Sequence, residues 1–158
     1  MASVISSCKY STEYKTINAD NQFSISIPPW MDEQKDLKDG AIFQYANRFR
    51  NTYVIAEVQS RQTANQTNAE IMSQNLTVIS KAMDKPIVSD SVAIEVGDLT
   101  GTRVEIYGKM NAENIYFTEV LLQGKIKLYH ISIWTRSEDR KLHFKEDISQ
   151  IISSFKEI

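Results

Sequence analysis

Glu119, His130 and Ser132 are the residues whose types and placement could do chemistry together. A carboxylate that hydrogen-bonds an imidazole can hold it as a general base near neutral pH, and a hydroxyl beside the pair would be the group it activates or the contact a ligand makes. The three lie in two stretches of β-branched and apolar residues, Ile115 to Leu122 and Ile126 to Thr135, separated by Gln123-Gly124-Lys125. If Gln123 opposes Ile126 across that turn, Glu119 stands directly opposite His130 and Ser132 shares their face. Gly108, on the preceding stretch, would leave room for a ligand beside them. No nucleophile elbow or oxyanion loop accompanies the cluster. It therefore reads as a cross-strand polar pair under a helix, with a small-ligand site or a weak hydrolase as the alternative.

The other residues with chemical potential are isolated. His143 and Asp147 are four apart on a predicted helix, the spacing of two metal ligands, but no third ligand is near, so no metal is expected. Cys8 is the sole cysteine, which excludes an intramolecular disulfide and a cysteine-based zinc site. The run Ile5-Ser6-Ser7-Cys8 resembles the small-residue box before a lipidated bacterial cysteine, yet the seven residues ahead of Cys8 supply no apolar region. As the sequence stands the chain reads as cytoplasmic, and a membrane-anchored lipoprotein held through Cys8 is the alternative if the true start lies upstream. Asn65-Gln66-Thr67 and Asn75-Leu76-Thr77 match the glycosylation acceptor pattern, the second on a predicted helix. There is no Gly-rich phosphate loop, and no cofactor is expected.

The elements that must position Glu119 and its neighbours belong to a single domain. The 158 residues are 42% hydrophobic and 24% charged, with a formal charge of -2. A chain of this size buries about 68–70% of its unfolded surface and needs no staples. The charge gives no general attraction to nucleic acid, and Arg48 with Arg50 is too small a cluster to make a basic stripe. No apolar run approaches the ~20 residues that span a bilayer. The domain is expected over residues 16–158, after a loose polar arm over 1–15.

In chain order, Phe23, Ile25 and Ile27 alternate with polar residues and predict a strand, halted by Pro28-Pro29 and followed by Trp30 as an apolar plug. Asp32 to Gly40 reads as a loop or short helical turn. Ala41 to Phe49 and Thr52 to Gln59 predict a hairpin turning at Asn51, with Phe43, Tyr45 and Phe49 as the apolar positions. Thr67-Asn68-Ala69-Glu70 has capping-box spacing and opens a helix whose stripe is Met72, Leu76, Ile79 and Met83, closed from beyond by Pro86. Its methionines read as core filler rather than a peptide groove. Ile87 to Val96 predicts one strand, turning at Gly97-Asp98. Ser137, with Glu138 and Asp139 behind it, predicts the start of a helix buried through Phe144, Ile148, Ile151, Ile152 and Phe155.

Between these helices Thr102 to Met110, Ile115 to Leu122 and Ile126 to Thr135 form an antiparallel meander. With Asn111 opposite Asn114, Ile106 faces Glu119, Val104 faces Leu121 and Gly108 faces Phe117. One face carries Glu119, Leu128, His130, Ser132 and Trp134, and the other Tyr107, Val120, Leu122, Tyr129, Ile131 and Ile133. Both faces are largely apolar, so the sheet should be covered on both sides, by the two helices and the Trp30 region.

The succession Ile94-Glu95-Val96-Gly97-Asp98-Leu99-Thr100-Gly101-Thr102-Arg103-Val104-Glu105, two further hairpins and a helix ending Ile151-Ile152-Ser153-Ser154-Phe155 resembles the PsbP-like family. So does the opening Phe23-Ser24-Ile25-Ser26-Ile27-Pro28-Pro29-Trp30. That family includes the extrinsic photosystem subunit, the Ran-binding Mog protein and many bacterial proteins of unknown role. The resemblance covers roughly residues 16 to 157 and lies in the order of strands, turns and final helix. It implies an α+β single domain, an antiparallel sheet of about six strands sandwiched between helices with the last helix on the meander. It also implies a bacterial, non-enzymatic module that binds or assembles with a protein partner, rather than a catalyst. Trp30 and Trp134, with neighbouring tyrosines, are the candidate partner-binding aromatics.

Overall fold

The structure, a computed structural model, describes residues 13–61 and 66–158. Its elements in order are β1 (Lys15–Ala19), β2 (Phe23–Ile27), β3 (Asp32–Glu33), β4 (Phe43–Asn47), β5 (Thr52–Ser60), α1 (Asn68–Lys81), β6 (Asp84–Val88), β7 (Val92–Val96), β8 (Leu99–Met110), β9 (Glu113–Gln123), β10 (Lys127–Arg136), α2 (Glu138–Ser153) and β11 (Lys156–Glu157). The predictions at Cys8 and Asn65 lie outside the described residues.

The main sheet is antiparallel and runs β3-β4-β5-β10-β9-β8-β6, with β7 also paired to β8. Beyond the two-residue β3 this is six strand positions, because β6 and β7 share one edge. A second sheet, β1-β2-β11, was not foreseen. β1 falls where the arm was expected to end. Lys15, Thr16 and Asn18 hide its period, and its pairing with β2 in the register Ile17 to Ile25 holds it in place.

Each face of the main sheet has its own cover. α2 and the small sheet enclose the larger core, in which Phe144, Ile148, Ile151 and Ile152 meet Val120, Leu122, Tyr129, Ile131 and Ile133 from the main sheet and Phe23, Ile25 and Ile27 from β2. Phe155 stacks on Phe23 with ring centroids 5.0 Å apart. On the other face, α1 sets Ile71 and Met72 over Val104, Leu121 and Leu128. A third cluster, Met83 with Ile106 and Ile115, continues past the helix end.

The helix starts form as their sequences dictate. Thr67 caps α1 through the Glu70 N–H while the Glu70 carboxylate accepts from the Thr67 N–H at 2.7 Å. Ser137 accepts from the Arg140 N–H at the start of α2.

Three local predictions change. The strand expected over Ile87 to Val96 is two, β6 and β7, both on β8 and separated where the Ser89 N–H donates to the Glu105 carbonyl at 2.8 Å and the Ser89 hydroxyl accepts from the Glu105 N–H at 2.9 Å. Phe49 does not alternate inward: it lies in the β4–β5 turn and is 89% exposed. The β8–β9 turn is the two-residue loop Asn111-Ala112, both with positive φ, so Met110 pairs with Glu113. Consequently Val104 faces Glu119, Ile106 faces Phe117 and Gly108 faces Ile115, a slip of two residues from the expected pairing. Because side chains alternate with period two, the slip leaves every face assignment intact.

Candidate polar site on the α1 face

Glu119, His130 and Ser132 do meet, in a different register from the one expected. The β9–β10 connection is longer, Gln123 pairing with Leu128, so Glu119 stands opposite Ser132 and diagonal to His130. The Glu119 Oε2 accepts from His130 Nε2 at 2.5 Å and from the Ser132 hydroxyl at 2.8 Å. Glu119 is completely buried, and its Oε1 has no hydrogen-bond partner among the described residues.

Sequence reasoning missed the rest of the network. β5 lies on the far side of β10 with Glu57 opposite His130. The Glu57 Oε2 sits 3.4 Å from His130 Nδ1, and Lys38 of the β3–β4 loop donates to the same oxygen at 2.5 Å. Asn75 of α1 brings its amide to 3.4 Å from Nδ1. The available signal was the alternation of β5, which puts Glu57 on the polar side of an apolar strand. What could not be read was that β5 would be the neighbour of β10.

The imidazole is thus enclosed by carboxylates on both nitrogens. Burial alone would discharge it, but the hydrogen bonds to Glu119 and Glu57 outweigh that and raise it from its ordinary value of 6.5 to about 9. In turn the hydrogen bond from His130, aided by Lys38 against the cost of burial, lowers Glu57 from 4.5 to about 2. At neutral pH the imidazole is protonated, its Nε2 on Glu119 and its Nδ1 facing the ionised Glu57.

The ligand space imagined beside Gly108 is filled. A side chain there would press on Met83 and the Asp84 carbonyl. What is open is a groove of about 280 Å³ between α1 and β5, bounded by His130, Glu57, Asn75, Gln74, Gln59 and Leu128 among others. Glu119 and Ser132 lie beneath it and do not border it.

The remaining candidates are separate. Trp30 packs on Phe144 at 5.8 Å with the Arg50 guanidinium 4.5 Å from its ring, within the α2-side core. Trp134 stands on the opposite face of the sheet, stacked between Tyr53 at 5.0 Å and Phe117 at 5.4 Å. One flat partner surface cannot contain both. His143 Nδ1–H donates to the Asp139 carbonyl at 2.6 Å while Asp147 accepts from Tyr14, so the helical pair is not joined. Among the described residues no group of three metal-ligating side chains converges.

No protein family and no curated protein matches the sequence. Solved structures do match the whole domain. The cyanobacterial PsbP protein CyanoP of Synechocystis superposes with a TM-score of 0.69 at 12% identity, over 98% of this chain and 99% of that one. The fold is PsbP/Mog-like. LpqN of Mycobacterium tuberculosis, a protein involved in cell envelope biogenesis, gives a TM-score of 0.64 at 11% identity over 91% of this chain and 90% of its own. The Ran-binding protein Mog1p of Saccharomyces cerevisiae gives 0.63 at 11% identity over 92% and 96%. At these identities the PsbP/Mog-like architecture is common to them and the side chains are not. No helix among the described residues is long and apolar enough to cross a membrane.

Proposed function

We propose that this chain is a non-enzymatic module that binds or helps assemble a protein partner. The observation that carries the reading is the state of its polar cluster. A general base must be able to take a proton, and His130 already holds one at neutral pH, shared with Glu119 and Glu57. A nucleophilic hydroxyl must face its base and its substrate, whereas Ser132 donates to Glu119 and is buried. The cluster is spent on itself and behaves as a structural ion network. The Ran-binding role of Mog1p is consistent with a PsbP/Mog-like scaffold used for binding.

The test pairs capture with an activity assay. The purified protein, crosslinked in its native host, should retain a defined protein, and the two purified components should re-form a complex on gel filtration. Hydrolysis of p-nitrophenyl acetate should be the same for the wild type and His130→Gln. Ester turnover that disappears in a folded His130→Gln variant would overturn the reading.

A second reading has one observation in its favour, the groove beside His130, whose Gln59, Gln74 and Asn75 offer hydrogen bonds above an apolar floor of Ile71, Leu121 and Leu128. It would take a small polar ligand. Chemical-shift changes confined to Asn75 and His130 on titrating a polar metabolite set would favour it over the first.

A further inference from the structure

We propose that the free edge of β7 is a docking strand for an extended, basic segment of a partner protein, an inference that rests on the binding-module reading above. Its basis is the pairing geometry of the β7–β8 hairpin. Gly97 and Asp98 form a two-residue loop, Gly97 with φ 57°, that brings Val96 opposite Leu99. In such a hairpin the closing residues are a hydrogen-bonded pair, and bonded pairs recur every second residue, so Ile94 bonds to Gly101 and Val92 to Arg103. The N–H and C=O groups of Ala93 and Glu95 therefore point away from β8. Among the described residues no strand pairs with that side of β7.

Unpaired edges are normally blocked, and the neighbouring half of this same edge is. β6 has Pro86, which lacks a donor, Lys85 in the left-handed region at φ 50° and a register break between Asp84 and Ile87. β7 has no proline, no lysine and no bulge. It also keeps apolar side chains in solvent. Val92 is 56% exposed, and Ile87 and Val88, just before it on the same edge, are 51% and 44% exposed. Exposed β-branched residues beside free backbone donors and acceptors are what strand addition uses, the backbone for affinity and alternate side chains for selectivity.

Charge decides the occupant. From Asp84 through Asp98 the edge carries Asp84, Asp90, Glu95 and Asp98 against Lys85 alone. On β8 behind it, Arg103 is already paired with Glu105 at 2.8 Å. A second copy of this chain would bring the same acidic set, Glu95 on β7 with Asp90 and Asp98 at its two ends, against itself with no cation on β7 to offset it, a juxtaposition that like-charge contacts penalise. A strand alternating Val or Ile with Lys or Arg places its apolar residues beside Val92 and Ile94 and its cations on the Glu95 face, with Asp90 and Asp98 adding negative charge at the two ends of β7.

The probe is a short fluorescein-labelled peptide alternating Val with Lys, and a twin alternating Val with Glu. The full chain should bind the Lys peptide about tenfold or more tightly than the Glu twin at low salt, and the difference should shrink as salt screens it. Amide exchange should slow at Ala93 and Glu95 when the Lys peptide binds. Glu95→Lys should remove the preference. Ala93→Pro removes an outward N–H and breaks no bond to β8, a substitution edge strands accept, so it should weaken binding while the melting temperature and circular dichroism stay near wild type. Equal binding of the twins, or binding that leaves the Ala93 and Glu95 amides unprotected, would overturn the proposal. Concentration-dependent protection of those amides without peptide would also overturn it, assigning the edge to a second copy. If Ala93→Pro captures the native partner as well as wild type does, the edge proposal fails and the binding-module reading stands. If neither protein captures a partner and the chain hydrolyses ester through His130, the broader reading fails too.

Discussion

Glu119 is a carboxylate with no exposed surface, held by one imidazolium and one hydroxyl, and the stability of the β9–β10 centre depends on both ends of that contact. Removing one partner of a buried pair strands the other charge, so His130→Gln should cost about 3–5 kcal/mol, read as a lowered urea midpoint. A double replacement of Glu119 and His130 by Leu should recover most of that loss, because the charge to be desolvated goes with its partner. A double variant no more stable than His130→Gln would show that the cluster's geometry, not its charge balance, sets the cost. The pH dependence follows from the same residues. His130 is raised from 6.5 to about 9, so its contribution is complete below pH 6.5 and is lost as pH climbs through 9. That gap corresponds to roughly 3 kcal/mol. Glu57 works in the opposite direction, its contribution present above 4.5 and lost as pH falls through about 2. Urea midpoints measured at fixed ionic strength should decline between pH 6.5 and 9. A flat profile there would contradict the clamped imidazolium.

At the scale of the elements, close backbone approach fixes what β8 can carry. A Cβ on Gly101 would overlap the Leu121 carbonyl and the Leu122 side chain of β9, two groups locked in the centre of the sheet. Gly101→Ala should therefore destabilise by about 1–3 kcal/mol, measured by chemical denaturation, whereas Gly97 faces open space and owes its place to its left-handed φ. This is also where the sequence was most and least informative. The capping box at Thr67, the cap at Ser137 and the stripe from Phe144 to Phe155 were legible because each depends on residues within a few positions. The faces of β8, β9 and β10 were legible because alternation survives a two-residue slip. The exact partners of Glu119 were not, since turn placement sets register: the β8–β9 loop is Asn111-Ala112 rather than Ala112-Glu113, and across the β9–β10 connection Gln123 pairs with Leu128 rather than Ile126. Glu57 stayed hidden because it acquires meaning only through β10, distant in the chain, and β1 because Lys15, Thr16 and Asn18 mask its alternation.

Across the whole molecule the two covers differ in depth. α2 buries Phe144, Ile148, Ile151 and Ile152 in the larger core, while α1 buries only Ile71 and Met72. Local opening follows buried contact, so hydrogen exchange should report α1 opening at a lower free energy than α2, β9 and β10. Equal protection of α1 and α2 would mean that the polar contact of Asn68 with Gln123 holds α1 more firmly than its apolar ones.

The small sheet has one further consequence. β2 leaves a ribosome long before β11, yet they pair directly, Phe23 with Glu157 and Ser24 with Lys156, and Phe155 stacks on Phe23. Until Phe155 to Glu157 emerge, β2 can meet β1 but not its second neighbour, and the aromatic cluster around Tyr129 lacks one ring. Contacts between residues so distant in the chain slow folding. The α2 side of the domain therefore closes only once the segment from Phe155 to Glu157 is available to Phe23 and Ser24, however early β1 and β2 have paired.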